Sequence, residues 1–233
     1  MERSGLNNYS PPVGSLLTYL NGHLNLSQEF NDALRRMLGA ETLAAKLDVV
    51  KFGEVCVTAN WIERGYARFF KRVADDNGIL TDVTIDFCRW GKILVIPECF
   101  FNGQPCGYNA EIPKGSVIVP FSKNCFDTFK LSAPEAESLA NKILSLERAE
   151  SLEKRELMKM KPRPRYDAFL RIFGREIEQY FAVKQIASYL GMQPSYLSRL
   201  RSEIKKYPTD HLQNKVSVVI FLLLTSKIDL LFN

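Results

Sequence analysis

Histidine is nearly absent from this sequence: His23 and His211 are the only two in 233 residues. That leaves no histidine cluster for a metal and no Ser-His-Asp arrangement for nucleophilic chemistry. A glycine-rich phosphate loop is missing as well. The five cysteines, Cys56, Cys88, Cys99, Cys106 and Cys125, form no CxxC pair, and the nearest two are seven residues apart. Zinc or iron–sulfur ligation therefore lacks its spacing. An odd, scattered set reads as reduced packing thiols, which predicts a cytoplasmic protein. Long apolar runs are also missing. The strongest, VSVVIFLLL at 216–224, has nine residues and is followed by Lys227 and Asp229, too short and too charged to span a bilayer. The polar stretch from Met1 to Pro12 does not have the pattern of a secretory signal. These gaps predict no catalytic residues, no metal, no cofactor and no membrane partner.

Charge of one sign is scarce overall and concentrated in one place. Residues 1–147 hold 15 Lys/Arg against 17 Asp/Glu, whereas residues 148–206 hold 14 against 7. A positive patch of this kind suits a polyanion, because each neutralised phosphate releases counterions.

Within that patch, AVKQIASYLGMQPSYLSRLRSE at 182–203 reads as two short helices joined by a tight turn. Ile186, Ala187 and Leu190 form the inner face of the first helix. Gly191 stands where the backbone must take positive φ. Pro194 suits the first turn of the second helix, which needs no backbone N–H there. Leu197, Leu200 and Ile204 then recur at i, i+3 and i+7 as a buried stripe. The opposite face carries Ser195, Tyr196, Ser198, Arg199, Ser202 and Lys205, short hydrogen-bonding groups and cations suited to a DNA major groove. Ser195, Tyr196 and Arg199 are the predicted base contacts. Lys184, Gln193, Ser198 and Lys205 are the predicted phosphate contacts, which position without specifying.

Elsewhere the texture changes three times. Helical patterning runs from Ser15 to Leu38, with Ser27 as a cap for a second helix. From Trp61, short apolar runs (YARFFKRV, LTDVTIDF, KILVI, SVIVPF) alternate with turns such as Asp76-Asn77-Gly78, as in a compact antiparallel roll. A long helix is predicted over 133–160, with Leu139, Ile143, Leu146, Leu152 and Leu157 as an apolar seam that either pairs with a second copy or packs on the helix's own domain. Lys161-Pro162-Arg163-Pro164 breaks that helix and marks a hinge before another short helix at Tyr166 to Phe173.

Five stretches in this order resemble the CRP/FNR family of bacterial transcription regulators, in its divergent Bacteroidetes-type branch. They are FGEVC (52–56), WIERGYAR (61–68), ECFFNGQP (98–105), RPRYDAFL (163–170) and IASYLGMQPSYLSR (186–199). The resemblance implies an α+β protein in three parts. These are an N-terminal antiparallel β-roll of the cyclic-nucleotide-binding-domain type with leading helices (1–132), a long dimerisation helix (133–160), and a C-terminal helix-turn-helix domain (161–233). It implies a homodimer that binds double-stranded DNA and senses a small-molecule effector, or none, through the roll. Glu54, Arg68 and Glu98 are the residues it suggests for an effector pocket. Cyclic AMP is not expected to bind in the usual way. The residues where the family's phosphate-binding arginine belongs read Pro105-Cys106-Gly107, and no arginine occurs between Arg89 and Arg148. A buried anion without a guanidinium partner is costly. Ser195 also replaces the glutamate that related sequences carry. These two departures leave open a ligand-binding or protein-interaction module whose helix-turn-helix no longer reads DNA.

Overall fold

The protein's structure is a computed structural model that describes residues 11–74, 77–133 and 135–206. The predicted Asp76 of the hairpin turn, Pro134 at the helix start and the apolar segment 216–224 lie outside the described residues. The chain divides into two compact units, one ending at Gly191 and the other beginning at Met192.

Two helices open the first unit, α1 (Pro11–His23) and α2 (Gln28–Met37). Pro11 and Pro12 begin α1 rather than punctuating a loose terminus, because the first turn of a helix has no N–H to lose. Ser27 caps α2 as its sequence position predicts, accepting a bond from the Phe30 amide at 3.2 Å. Eight strands follow: β1 (Glu41–Thr42), β2 (Leu47–Val50), β3 (Thr58–Arg64), β4 (Tyr66–Ala74), β5 (Leu80–Arg89), β6 (Lys92–Leu94), β7 (Asn109–Ile112) and β8 (Val117–Ser122). All their pairings are antiparallel, in two four-stranded sheets ordered β1-β8-β3-β6 and β2-β7-β4-β5. This is the α+β roll that the alternating runs and turns predict. Ile62, Ala67, Leu94, Ile112 and Ile118 pack together within it.

Gly65 makes the tight β3–β4 turn possible. Its φ is +104°, and a Cβ there would meet Ser116 Oγ at 2.2 Å. No side chain fits that close approach.

A short helix α3 (Pro97–Phe100) interrupts the roll, and α4 (Lys123–Ser132) follows it. The periodicity of the sequence does not reveal α4. Ser122 caps it, with its Oγ accepting from the Cys125 amide at 3.2 Å. The predicted long helix is α5 (Glu135–Lys159). Its seam is not one face. Leu139 and Ile143 are buried in this chain's own cluster with α1 and α2, and Leu157 is buried too. Leu152 is 57% exposed. At about 100° per residue, Leu152 falls on the opposite side of α5 from Leu139.

Beyond α5 come α6 (Pro162–Phe173), α7 (Ile177–Tyr180) and α8 (Val183–Tyr189). The helix α6 starts four residues earlier than its apolar pattern predicts, again because Pro162 and Pro164 occupy a first turn. Among the described residues, no helix is long and apolar enough to cross a membrane.

A buried charge network locks β4 to its neighbours. Arg68 is 2% exposed; its Nε donates to Glu111 Oε1 at 2.7 Å and its Nη2 to Asp82 at 3.1 Å. Its guanidinium also lies 4.1 Å from the Phe70 ring centroid. A buried ion with its partners intact is tolerable; removing one partner strands the other. Arg68→Ala is expected to destabilise the fold by about 3–5 kcal/mol, and Arg68→Met with Glu111→Leu by markedly less. Denaturant unfolding of both variants measures this, and equal losses would show that the network is not what the site depends on.

Candidate nucleic-acid interface

The helix pair is built from two different kinds of constraint. In the first helix, α8, Ile186, Ala187 and Leu190 are fully buried, as their spacing predicts. Gln185 Oε1 accepts from the Ala182 amide at 2.8 Å and so closes the start of the helix. The helix lies against the edge strand β5 of the roll. Ser188 Oγ accepts from the Thr84 amide at 3.0 Å, which supplies the partner that an edge strand lacks. Beside it, Phe87 is fully buried, and its ring centroid lies within 6.0 Å of Phe169, Phe173, Phe181 and Tyr189. Tyr66 Oη donates to the Phe173 carbonyl at 2.7 Å, and Lys154 Nζ donates to Asp86 and to the Phe87 carbonyl. Sequence reasoning missed this aromatic junction. The five rings are present in the sequence, but no periodicity links a strand residue to α6, to α8 and to Phe181 between α7 and α8.

Leu190 ends α8, and Gly191 takes the predicted left-handed conformation at φ +61°. The second unit then opens with α9 (Pro194–Lys206). The backbone amide of Leu197 donates to the Gln193 carbonyl at 3.1 Å. Leu197, Leu200 and Ile204 are buried at 0%, 4% and 5% exposure, the stripe the sequence predicts. On the other face Ser195, Ser198 and Arg199 are exposed and Tyr196 is half-buried. The Arg199 guanidinium lies 5.3 Å from the Tyr196 ring centroid, a cation–π placement. Gln193 and Lys184 are exposed, and the Lys205 side chain lies outside the described residues. Short hydroxyls, an aromatic ring and a fork of donors therefore share one accessible face of a 13-residue helix.

Solved structures with the same architecture exist at low sequence identity. A putative transcriptional regulator of the CRP/FNR family from Eubacterium rectale superposes with a TM-score of 0.58 at 13% identity, covering 81% of this chain and 88% of that one. A CRP-family transcriptional regulator from Thermus thermophilus gives 0.53 at 17%, covering 73% and 85%. CLP of Xanthomonas campestris, a c-di-GMP-responsive global regulator, gives 0.51 at 15%, covering 85% and 93%. The chain has the fold of the CRP/FNR regulators. The sequence matches no protein-family model and no curated protein.

In this CRP/FNR fold the roll, α5 and α6 border an open cavity of about 750 Å³. Phe69, Ile85, Leu94 and Tyr108 from the roll and Leu144 and Glu147 from α5 are among the residues that line it. The three residues suggested for an effector pocket do not line it. Arg68 is held by Glu111 and Asp82, and Glu54 is exposed and accepts from the Lys51 amide at 3.1 Å. Glu98 accepts from Tyr108 Oη at 3.1 Å and so touches the cavity only through that tyrosine. The sequence pairs these residues by likeness, and the cross-strand register sends Arg68 to Glu111 instead. Among the described residues no three His, Cys, Asp or Glu side chains are grouped to hold a metal.

Glu147 is the cavity's unusual group. Burial, reinforced by Glu150, pushes its carboxyl from 4.5 to about 7. The folded protein then binds a proton that the unfolded chain releases, so this contribution to stability falls as pH rises from 4.5 through about 7. Glu147→Gln is expected to flatten the melting temperature across that interval. An unchanged slope would show that Glu147 ionises freely.

Proposed function

We propose that the protein is a DNA-binding transcriptional regulator of the CRP/FNR type that acts as a homodimer. The observation that carries this reading is the exposed face of α9, on which Arg199, Ser195 and Ser198 stand accessible while Leu197, Leu200 and Ile204 are buried. In the proposed complex two copies of α9 enter successive major grooves, the docking geometry general to helix-turn-helix dimers. Arg199 reads guanine O6 and N7, and Ser195 and Tyr196 contact neighbouring bases. Lys184, Gln193, Ser198 and Lys205 hold phosphates. The fold of known regulators supports the reading; it does not depend on the identity of any one neighbour. The proposed domains are the roll with its leading helices (1–132), the long helix (133–160) and the helix-turn-helix part (161–233). In the proposed dimer the exposed Leu152 of α5, at the border of the cavity, is a contact for a second copy's helix.

The roll's part in the proposal is to hold an effector in the cavity against α5. The effector acts only through different affinities for two states of the protein. Because Pro105-Cys106-Gly107 stand where the family's phosphate-binding arginine belongs, the effector is not expected to be cyclic AMP bound in the usual way.

Selection of bound duplexes from a random pool tests the reading directly. A near-palindromic site with half-sites about one helical turn apart is expected, with log affinity falling about 0.9 per phosphate contact against log salt. Arg199→Ala is expected to cost about 1–3 kcal/mol at the selected site and much less on unrelated duplexes. Loss of the same size on every duplex would show that Arg199 does not read bases. No salt-dependent retention of any duplex would end the proposal.

A further inference from the structure

Between the long helix and the helix-turn-helix stands a side chain that the sequence assigned to no role. Arg165 lies in the first turn of α6. Its Nε and Nη2 donate to the Met160 carbonyl at 3.1 and 2.8 Å, and its Nη1 donates to the Leu190 carbonyl at 2.6 Å. Met160 stands one residue past the end of α5, and Leu190 is the C-terminal cap of α8. Both carbonyls are among those a helix end leaves without an internal partner, at the negative pole of its dipole. One planar cation therefore satisfies two helix ends that are 30 residues apart in sequence. Only a guanidinium has donors on three nitrogens in a fixed plane; an ammonium reaches from a single point. The contact is close to the turn itself, since a Cβ at Gly191 would lie 3.5 Å from Nη1.

From this geometry we infer that Arg165 is a positioning residue for DNA reading: it fastens the turn of the helix-turn-helix to the end of the long helix. The inference rests on the DNA-binding reading above. Arg165 itself need not touch DNA. The turn at Leu190-Gly191 leads into α9 within three residues, so holding the Leu190 carbonyl fixes the point from which the recognition helix departs. A shift at the end of α5 is passed to that turn through a single rigid group rather than through the backbone of 161–189. A lysine at this place would keep the charge and lose the bridge, which separates positioning from electrostatics.

Two variants, Arg165→Lys and Arg165→Gln, test this by two independent readouts. The first needs no DNA. Amide hydrogen exchange at Met160, at Leu190 and at Gly191 is expected to rise together in both variants, by about tenfold or more. Exchange at Ile62 and Ile118, inside the roll, is expected to stay as it was. A rise at only one end, at neither, or everywhere equally overturns the coupling. The second readout uses the duplex selected by the wild-type protein. Arg165→Lys is expected to bind it at least about tenfold more weakly, with the salt slope unchanged and with a broader range of accepted half-site spacings. A slope smaller by about 0.9 would make Arg165 a phosphate contact instead. Full rescue by lysine would make it a charge and no more. Either result overturns the positioning role. If the wild-type protein retains no duplex, the DNA-binding reading fails, and with it the positioning role. The exchange experiment then still decides whether Arg165 joins the two helix ends.

Discussion

Everything on the C-terminal side of the long helix in the first unit depends on where the Phe87 ring goes. It leaves the edge strand of the roll and enters a box made by α6, the start of α8's segment and α8 itself, through Phe169, Phe173, Phe181 and Tyr189. Burying a phenylalanine is worth about 1.5–3 kcal/mol, and edge-to-face neighbours add about 0.5–1.5 kcal/mol per pair. The polar contacts around the box are directional. Tyr66 Oη bonds the Phe173 carbonyl, Ser188 accepts from Thr84, and Lys154 bonds the Phe87 carbonyl. The rings supply most of the attraction and the hydrogen bonds fix the register. The first helix of the helix pair, α8, is thereby part of the same packed body as the roll.

The roll can bear that attachment because its own strands are pinned by Arg68. A guanidinium at 2% exposure is tolerated only when it is paired and hydrogen-bonded, and each of its three nitrogens reaches an acceptor, on Glu111, Thr84 and Asp82. The same demand removes Arg68 from ligand binding: a cation with two carboxylates already in contact has little attraction left for an anion. The cavity against α5 is lined by apolar groups, by two ion pairs (Lys92 with Glu150 and Lys154 with Asp86), by Arg89, Arg148 and Arg155, and by the half-buried Glu147. With its carboxyl pushed up to about 7, Glu147 is protonated below that pH, where it donates as well as accepts, and only accepts above it.

Local signals in the sequence were legible where a single element decides the outcome. Leu197, Leu200 and Ile204 follow the helical period, Gly191 has the positive φ its place requires, and Ser27 caps α2. Reading failed where the deciding partner is distant. Leu152 continues the seam of α5 when leucines alone are counted, yet the helical angle sets it on the far side. The helix α4, KNCFDTFKLS, has too little contrast between its faces to show a period; its cap at Ser122 was its only clear mark. In sequence Arg68 reads as a pocket residue, and Phe87 and Arg165 look like core or surface residues of no special kind. Their roles come from pairing across 43, 82 and 25 residues respectively, which only the sheet register and the helix packing create.

The segment 161–165 reads as a hinge because two prolines interrupt a helix, but interruption and freedom are different properties. Proline removes donors and fixes φ, so each Pro here stiffens the first turn of α6 rather than loosening it. Arg165 then ties that turn to both flanking helix ends, and the Phe87 box holds α6 and α8 against β5. Rotating about 161–165 requires breaking three charge-assisted bonds and withdrawing several rings from contact, a cost of at least several kcal/mol. A two-state regulator with a gap of a few kcal/mol does not place its motion there unless something first weakens that junction. The cavity against α5 is lined in part by Asp86, Phe87, Lys154 and Phe173, the junction's own members. In the proposed regulator, a ligand in that cavity would act on the contacts that hold α8, and the junction, rather than the proline segment, would be the element that an effector biases.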